Sequence, residues 1–229
     1  MTPNNAPRAS LRRLRPHALL LATLLATLPL HAAPPEAAAV EADWILEKLA
    51  RPAPMRTGFV ELRGSALLKA PLRIVGEYQR PRDGVLVREV RAPYAEVTTI
   101  TPGAVTIARA GKSPRTFALS RAPELAGLQA SFGALLAGDR ALLEQHYRIA
   151  SAGTRQRWTL ALTPRDAELA AKVQNITLHG RGAELRCIET APAGDGDVQR
   201  TLLAGAARVA QGVDDAAALT ALCRGDAAK

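Results

Sequence analysis

Apolar and polar residues alternate over most of the chain in short segments that proline or glycine separates. In residues 157–163, for example, Trp158, Leu160 and Leu162 share one side of the segment. Successive side chains of a strand point to opposite faces of a sheet, so this period of two predicts half-buried β-strands. The predicted strands span residues 58–66, 72–79, 85–91, 94–101, 104–108, 147–151, 157–163, 173–179, 184–190 and 197–204.

The connections between these strands are short and carry turn residues. Asp83-Gly84 suits a hairpin, and residues 180–182 and 194–196 are glycine-rich turns. Strands joined this closely pair antiparallel, and the twist accumulated over about ten strands curls the sheet. Such a sheet must curl around its apolar face or cover it. The pattern therefore predicts an α+β, mainly β fold with one strongly curved antiparallel sheet.

One segment between the two series of strands follows a helical period instead. Five apolar residues between residues 124 and 137 recur at the spacing of one helix face. Gly138 ends this helix, and Asp139 caps a second short helix over residues 140–144. The apolar stripe of the first helix consists of Leu125, Leu128, Phe132, Leu135 and Leu136.

Helices are also predicted before the first strand and after the last. Residues 43–50 carry apolar side chains at helical spacing, with Asp43 as the cap and Pro52 beyond the end. The alanine-rich residues 214–223 are typical of a short C-terminal helix.

The first 32 residues have the pattern of a secretory signal peptide. Four arginines lie before residue 16, an uncharged run covers residues 17–30, and small residues follow. A helix of that run is about 21 Å long, short of the roughly 30 Å hydrocarbon core of a membrane, which favours a signal peptide over an anchor. The predicted organisation is a signal peptide at 1–32, a flexible leader at 33–42 and a folded domain at 43–224, located in the periplasm.

Charge and cysteine content exclude several kinds of protein. The formal net charge is +9, and it is +5 without the four arginines of the signal peptide. The basic residues are scattered without interleaved aromatic side chains, so no nucleic-acid partner is expected. Cys187 and Cys223 are too few for a four-cysteine zinc site, and we expect no metal and no cofactor. In an oxidising compartment the two could form a disulfide, which their spacing alone does not establish.

The sequence contains none of the usual catalytic or nucleotide-binding motifs. H-E-x-x-H, G-x-S-x-G, the P-loop and G-x-G-x-x-G are all absent. Beyond the signal peptide only His146 and His179 remain, and each is more typical of a surface residue than of a ligand or base. We therefore expect that the protein is not an enzyme.

Short motifs follow one another along the predicted elements, over about residues 43–203. They are Phe59-Val60-Glu61, Gly76-Glu77-Tyr78 before Arg80-Pro81, the turn Ala92-Pro93-Tyr94, the W-x-L-x-L-x-P strand from Trp158 to Pro164, the strand Ile176 to Gly180, and Gly194-Asp195-Gly196. In this order, and together with the order of the predicted helices and strands, they resemble the LolA family of periplasmic lipoprotein carriers. Phe59-Val60-Glu61 is similar to the family's Phe-Thr-Gln opening strand.

The resemblance implies an incomplete β-barrel whose concave, apolar side is covered by a helical lid. The lid would comprise helices around residues 121–144, and the five apolar residues of the stripe would face the cavity. Arg80 matches the family arginine that holds the lid closed through hydrogen bonds to the lid backbone. The alternative for Arg80 is a solvated turn residue.

The resemblance also implies that one face of the sheet lines a lipid-binding cavity. Strand polarity does not show which face turns inward, and a slip of one residue would invert the choice. The predicted cavity residues are Val60, Leu62, Leu72, Ile74, Tyr78, Leu86, Val97, Trp158 and Leu160.

The function implied by the resemblance is that of a monomeric carrier that binds the acyl part of a lipoprotein and moves it toward the outer membrane. An inner-membrane transporter would be the donor, and an outer-membrane protein the acceptor. The chain is only 3% aromatic, and residues 67–72 resemble divergent members of the family, so a glycolipid or an aryl-polyene-type lipid is an alternative cargo. An envelope lipid hydrolase is the less favoured alternative.

Overall fold

The computed structural model describes residues 39–64, 71–121 and 132–226, and one antiparallel sheet of eleven strands dominates them. The strands are β1 (Met55–Arg63), β2 (Leu72–Arg80), β3 (Leu86–Ala92), β4 (Glu96–Ile100), β5 (Ala104–Arg109), β6 (Arg115–Ala118), β7 (Tyr147–Thr154), β8 (Arg157–Pro164), β9 (Val173–Arg181), β10 (Glu184–Pro192) and β11 (Gln199–Leu203). Their order across the sheet is β6-β5-β4-β3-β2-β1-β11-β10-β9-β8-β7.

Two meanders meet in the middle of this sheet. Strands β1 to β6 form one meander and β7 to β11 the other, and the two join where Phe59 of β1 lies opposite Leu203 of β11. Strands β6 and β7 are the two edges, each with one neighbour in the described part of the chain, so the sheet does not close. The predicted fold class, a mainly β open barrel with helices, is confirmed.

Strand β6 is the one strand that the alternation does not predict. Its four residues follow a polar turn, and Phe117 is the only one of them that is partly buried. Strand β6 is short and lies at the edge of the sheet, where it pairs with one neighbour in the described residues. Its position therefore does not require an alternating apolar pattern.

Six helices accompany the strands in the described residues. Asp139 caps its helix as predicted, because its side chain accepts a hydrogen bond from the Leu142 N–H at 2.9 Å. The fifth helix was not predicted, because its alanine-rich residues follow the last strand with no turn residue between them. The helices are α1 (Ala42–Leu49), α2 (residues 132–137), α3 (Arg140–His146), α4 (Ala167–Ala170), α5 (Ala204–Val209) and α6 (Ala216–Arg224).

The folded body begins before the predicted boundary at Asp43. Val40 is buried, its N–H donates to the Gly153 carbonyl at 3.0 Å, and its own carbonyl accepts from Ser151 Oγ at 2.9 Å. Helix α1 starts at Ala42, so Asp43 lies in its first turn and does not cap it. The last residues of the predicted leader thus belong to the folded body.

Strand register divides the side chains between two faces, which we call the front and the back. The front face carries Phe59, Ile74 and Trp158, and the back face carries Val60 and Leu202. Helices α1, α2 and α3 pack on the front over β7, β8 and β9, and helices α5 and α6 pack on the back over β1, β10 and β11. No helix of the described residues combines the length and the apolar character needed to cross a bilayer.

Trp158 shows how the front core fixes its glycine neighbour. The indole lies over Gly180, where an added Cβ would come within 1.9 Å of the ring, and its Nε1–H donates to the Gly182 carbonyl at 2.9 Å. Glycine is therefore required at residue 180, and the indole is buried with its polar group satisfied.

Candidate functional site

Six of the nine predicted cavity residues lie together on the front face. The cross-strand pairs place Leu72, Ile74, Tyr78, Leu86, Trp158 and Leu160 there.

The other three, Val60, Leu62 and Val97, lie on the back face, so the prediction of one shared face is wrong for them. Val60 and Leu62 pack against the C-terminal helices, and Val97 is 38% exposed. Both sides of β1 are buried from Phe59 to Leu62, so its apolar pattern could not distinguish the faces.

The described part of the predicted lid rests on the front face. Leu135 is buried in a cluster with Ile45 and Leu46 of α1, whereas Phe132 and Leu136 are half-buried. A cavity of about 30 Å³ separates Phe132 and Leu136 from Leu86 of β3. The remaining stripe residues, Leu125 and Leu128, lie outside the described residues.

Three aromatic rings lead from the lid helix into the front face. The Phe132 and Tyr78 ring centroids are 6.4 Å apart, and those of Tyr78 and Phe59 are 4.7 Å apart. Phe59 is buried and lies over Gly76, where a Cβ would come within 2.8 Å of its ring. Phe59 is not among the predicted cavity residues, because the two residues predicted on β1, Val60 and Leu62, lie on its other face.

A buried carboxylate lies beside these rings. Glu61 is 1% exposed, and its two oxygens accept from Arg63 Nη2 at 2.7 Å and from Arg88 Nη2 at 3.0 Å. The Arg88 guanidinium also lies over the Phe59 ring, 4.9 Å from its centroid. This cluster of Glu61, Arg63 and Arg88 was not predicted. The signal in the sequence is Glu61 itself, a glutamate flanked by apolar residues in a strand. Its partner Arg88 lies two strands away in the sheet, so the pairing could not be predicted from spacing along the chain.

The cluster perturbs the ionisation of the groups around it. Burial, and then the negative charge of Glu61, raise the pKa of Tyr78 above its usual value, so the phenol stays protonated. Burial acts to lower the pKa of Arg88, but the interactions with Tyr78 and Glu61 outweigh it and raise that pKa. Arg88 therefore stays charged, although only 17% of its side chain is exposed.

Arg80 contacts the lid indirectly in the described residues. Its Nη1 donates to the Arg51 carbonyl at 2.7 Å, and its Nη2 pairs with Asp83 at 2.5 Å. The Arg51 N–H in turn donates to the Leu136 carbonyl of α2 at 2.9 Å. Within residues 132–144 no hydrogen bond joins Arg80 to the lid backbone, and Arg80 is connected to α2 through Arg51.

The family of the chain follows from a comparison with models of known families. The model described as "Outer membrane lipoprotein carrier protein LolA-like" matches residues 32–227. The chain belongs to the LolA-like family. This family has a carrier-type fold that binds lipids or lipoproteins, it is not typically enzymatic, and it is typically extracytoplasmic.

Solved structures similar to this LolA-like chain show low sequence identity. The LolA superfamily protein NE2245 from Nitrosomonas europaea is 14% identical, with 72% of this chain and 92% of that chain covered and a TM-score of 0.38. LprF from Mycobacterium bovis is 14% identical, with 74% and 94% covered and a TM-score of 0.34.

A third similar structure is the complex of MucA and MucB from Pseudomonas aeruginosa. It is 18% identical over 72% of this chain, with a TM-score of 0.38, and the match spans 56% of that chain. Among curated proteins, none matches the LolA-like chain in sequence.

On the back face of the LolA-like sheet, a disulfide joins Cys187 of β10 to Cys223 of α6. One possible metal-binding group occurs among the described residues, formed by His179, Glu189 and Cys223. Because the Cys223 sulfur is bonded to Cys187, it is not the thiolate that binds metals, and only two ligands remain.

Glu189 instead joins the back-face network. His179 Nε2 lies 3.1 Å from Glu189 Oε2, and Arg200 Nε donates to Oε1 at 2.6 Å. The hydrogen bond from His179, opposed by burial and supported by Arg200, lowers the pKa of Glu189 to about 2.

Proposed function

We propose that the chain is a periplasmic carrier that binds the acyl part of a lipoprotein on the front face and moves it toward the outer membrane. An inner-membrane transporter would be its donor, an outer-membrane protein its acceptor, and the carrier would act as a monomer. The observation that carries this proposal is the apolar part of the front face, which continues from Ile74 and Tyr78 to Leu160 and against which residues 132–137 pack.

Exposure of an acyl chain to water has a large unfavourable free energy, so such a cargo requires a carrier. Each methylene removed from water contributes about 0.8 kcal/mol, so a sixteen-carbon acyl chain leaves about 12 kcal/mol of unfavourable exposure in an aqueous compartment. A dry binding face offsets that exposure, and no covalent step is required of the carrier.

We propose that α2 moves when an acyl chain binds. In the described part of the chain, the cavity of about 30 Å³ between Leu86 and α2 has room for about one water molecule, which is far too little for an alkyl chain. From outside its own turn, the described part of α2 receives one backbone hydrogen bond, from Arg51 to Leu136, together with the apolar contacts of Phe132 and Leu135. One such bond contributes about 1 kcal/mol, so the burial of an acyl chain can displace the helix.

Arg80 is proposed to stabilise the closed position of α2 through Arg51. Without Arg80, the Arg51 carbonyl loses its charged donor, and the backbone that holds Leu136 is less well positioned. The closed, empty protein is then less stable relative to the cargo-bound protein, so cargo is released more slowly.

A second cargo class is favoured by one observation, the ionic cluster at Glu61. Two guanidinium groups beside the apolar side chains of Phe59 and Ile74 suit a lipid with a polar head. The alternative proposal is therefore a carrier of a non-lipoprotein lipid, such as a glycolipid or an aryl-polyene-type lipid, that works with an inner-membrane transporter.

Native mass spectrometry tests the proposal directly. The purified protein is mixed with a tripalmitoylated peptide, and the release of bound peptide to empty vesicles is followed over time. We expect a stoichiometric complex with intact acyl chains. Absence of any complex would contradict the carrier proposal, and loss of acyl chains from the peptide would support a hydrolase instead.

Substitution of Arg80 tests the latch in the same assay. Arg80→Leu should slow release about tenfold, because a charged hydrogen bond of roughly 1.4 kcal/mol is lost from the closed state. Arg82→Leu, in the exposed turn that follows, is the matched control and should release at the wild-type rate. Equal release by Arg80→Leu and wild type would mean that Arg80 is an ordinary turn residue.

A further inference from the structure

The cluster of Glu61, Arg63 and Arg88 places a carboxylate that is 1% exposed beside the apolar side chains of Phe59 and Ile74 on the front face. Removal of ions from water is unfavourable, and replacement of a buried ion pair by apolar side chains is often neutral or stabilising. Stability alone therefore gives little reason for a charged cluster between Phe59 and Ile74 on the front face.

Among the described residues, the charges of the cluster do not balance. One carboxylate, Glu61, faces two guanidinium groups, Arg63 and Arg88, which leaves one positive charge in excess. Glu61 is fully enclosed, whereas 17% of the Arg88 side chain is exposed. Arg88 is therefore the member that combines enclosure with remaining access for a ligand.

The location of Arg88 connects the cluster to the lid. Arg88 lies two residues after Leu86 on β3, so both side chains point to the front face about 7 Å apart along the strand. Leu86 lines the cavity beneath Phe132 and Leu136. Phe59 and Tyr78 lie between Arg88 and the lid helix and exclude water from one side of the guanidinium.

We propose that Arg88 binds the anionic head of an acyl cargo, a carboxylate or a phosphate, while the acyl chain lies along the apolar front face beneath α2. A guanidinium presents a planar set of N–H donors that matches both oxyanions, and Glu61 engages its Nη2 while the Tyr78 phenol interacts with the same guanidinium. The anion neutralises the excess charge, and the aromatic surroundings strengthen the attraction because they exclude water. This inference rests on the second proposed cargo class, a non-lipoprotein lipid, and specifies that lipid as an acidic one.

Ligands that share one alkyl chain and differ in head charge test this inference. Hexadecanoic acid and hexadecyl phosphate carry anionic heads, methyl hexadecanoate is neutral, and hexadecylamine is cationic. Dissociation constants come from displacement of one fluorescent fatty ester from the full-length mature protein. We expect at least one anionic ligand to bind about tenfold or more tightly than the ester, and the amine to bind more weakly than the ester. The tighter anion then distinguishes a free acid from a phospholipid-type cargo.

Variants then test whether Arg88 causes the preference for anionic ligands over the neutral ester. The double variant Glu61→Gln and Arg88→Met removes both charges of one pair, so it leaves no lone buried ion, and it should bind anion and ester within about twofold of each other. Arg88→Lys should keep part of the preference. Arg91→Met, on the back side of the same strand and 55% exposed, is the matched control and should bind like wild type.

The possible results separate this inference from the proposed function. Equal binding of anion, ester and amine by wild type would overturn the inference and leave the carrier function intact, as would a preference that the double variant keeps. Failure of every alkyl ligand and of the acylated peptide to bind would overturn both. The wild-type ligand series needs no variant, so it decides the matter even if the double variant does not fold.

Discussion

On the back face of the sheet, helix α6 is held by the Cys187–Cys223 disulfide, and charged side chains contact α6 and the end of α5. On the front face, the described part of α2 is held by packing and one backbone hydrogen bond from Arg51. The back contacts include Arg73 Nη2, which donates to the Ala210 carbonyl at 2.8 Å, and Arg224, which lies 3.5 Å from Glu189. The helices on the front face and those on the back face both cover buried apolar side chains of the sheet.

This difference in attachment indicates which of the two covers, α2 on the front face or α5 and α6 on the back face, can open. Contacts that are apolar and few can be exchanged for contacts with an acyl chain at little net change in free energy, whereas a covalent bond cannot. We therefore propose that the front cover opens, whereas the back cover is a fixed part of the fold.

Removal of the disulfide should have the largest effect on this contrast. The double variant Cys187→Ser and Cys223→Ser opens a loop that closes over 36 residues, and the free energy of unfolding should fall by about 2–4 kcal/mol. Urea unfolding measures the loss, and acyl-peptide binding at low urea should remain. Loss of binding in a variant that is still folded would show that the two covers are not independent.

Replacement of Glu189 should have a smaller effect that depends on pH. The folded-state pKa of about 2 lies below the usual value near 4.5, so the charged form stabilises the fold above about pH 4.5, and this contribution is lost as the pH falls through about 2. Glu189→Gln should therefore lower the free energy of unfolding by up to about 3 kcal/mol near neutral pH, and wild type and variant should converge near pH 2. Asp195→Asn, at an exposed turn position, is the control and should show no such convergence. A difference that stays constant with pH would contradict this account of the network.

Much of the fold could be predicted from the sequence, because alternation is a local property. Ten strands, the cap at Asp139 and the C-terminal helix all follow from neighbouring residues. The strand β6 and the helix α5 lack such local marks, since one is an edge strand and the other continues β11 without a turn.

The candidate site was harder to predict, because it depends on register and on distant elements. Val60 and Phe59 are equally apolar neighbours, and only the position of α5 and α6 decides that Val60 faces the back. The pairing of Glu61 with Arg88 crosses from β1 over β2 to β3, and no sequence spacing specifies it.

Hydrogen exchange, measured by mass spectrometry with and without the tripalmitoylated peptide, tests most directly the claim that the front cover opens and the back cover does not. Without peptide, amides in residues 132–137 should exchange faster than those in Ala216–Arg224, and saturating peptide should change exchange only in the former. Equal protection of the two helices, with no change in residues 132–137 when peptide is bound, would contradict the account.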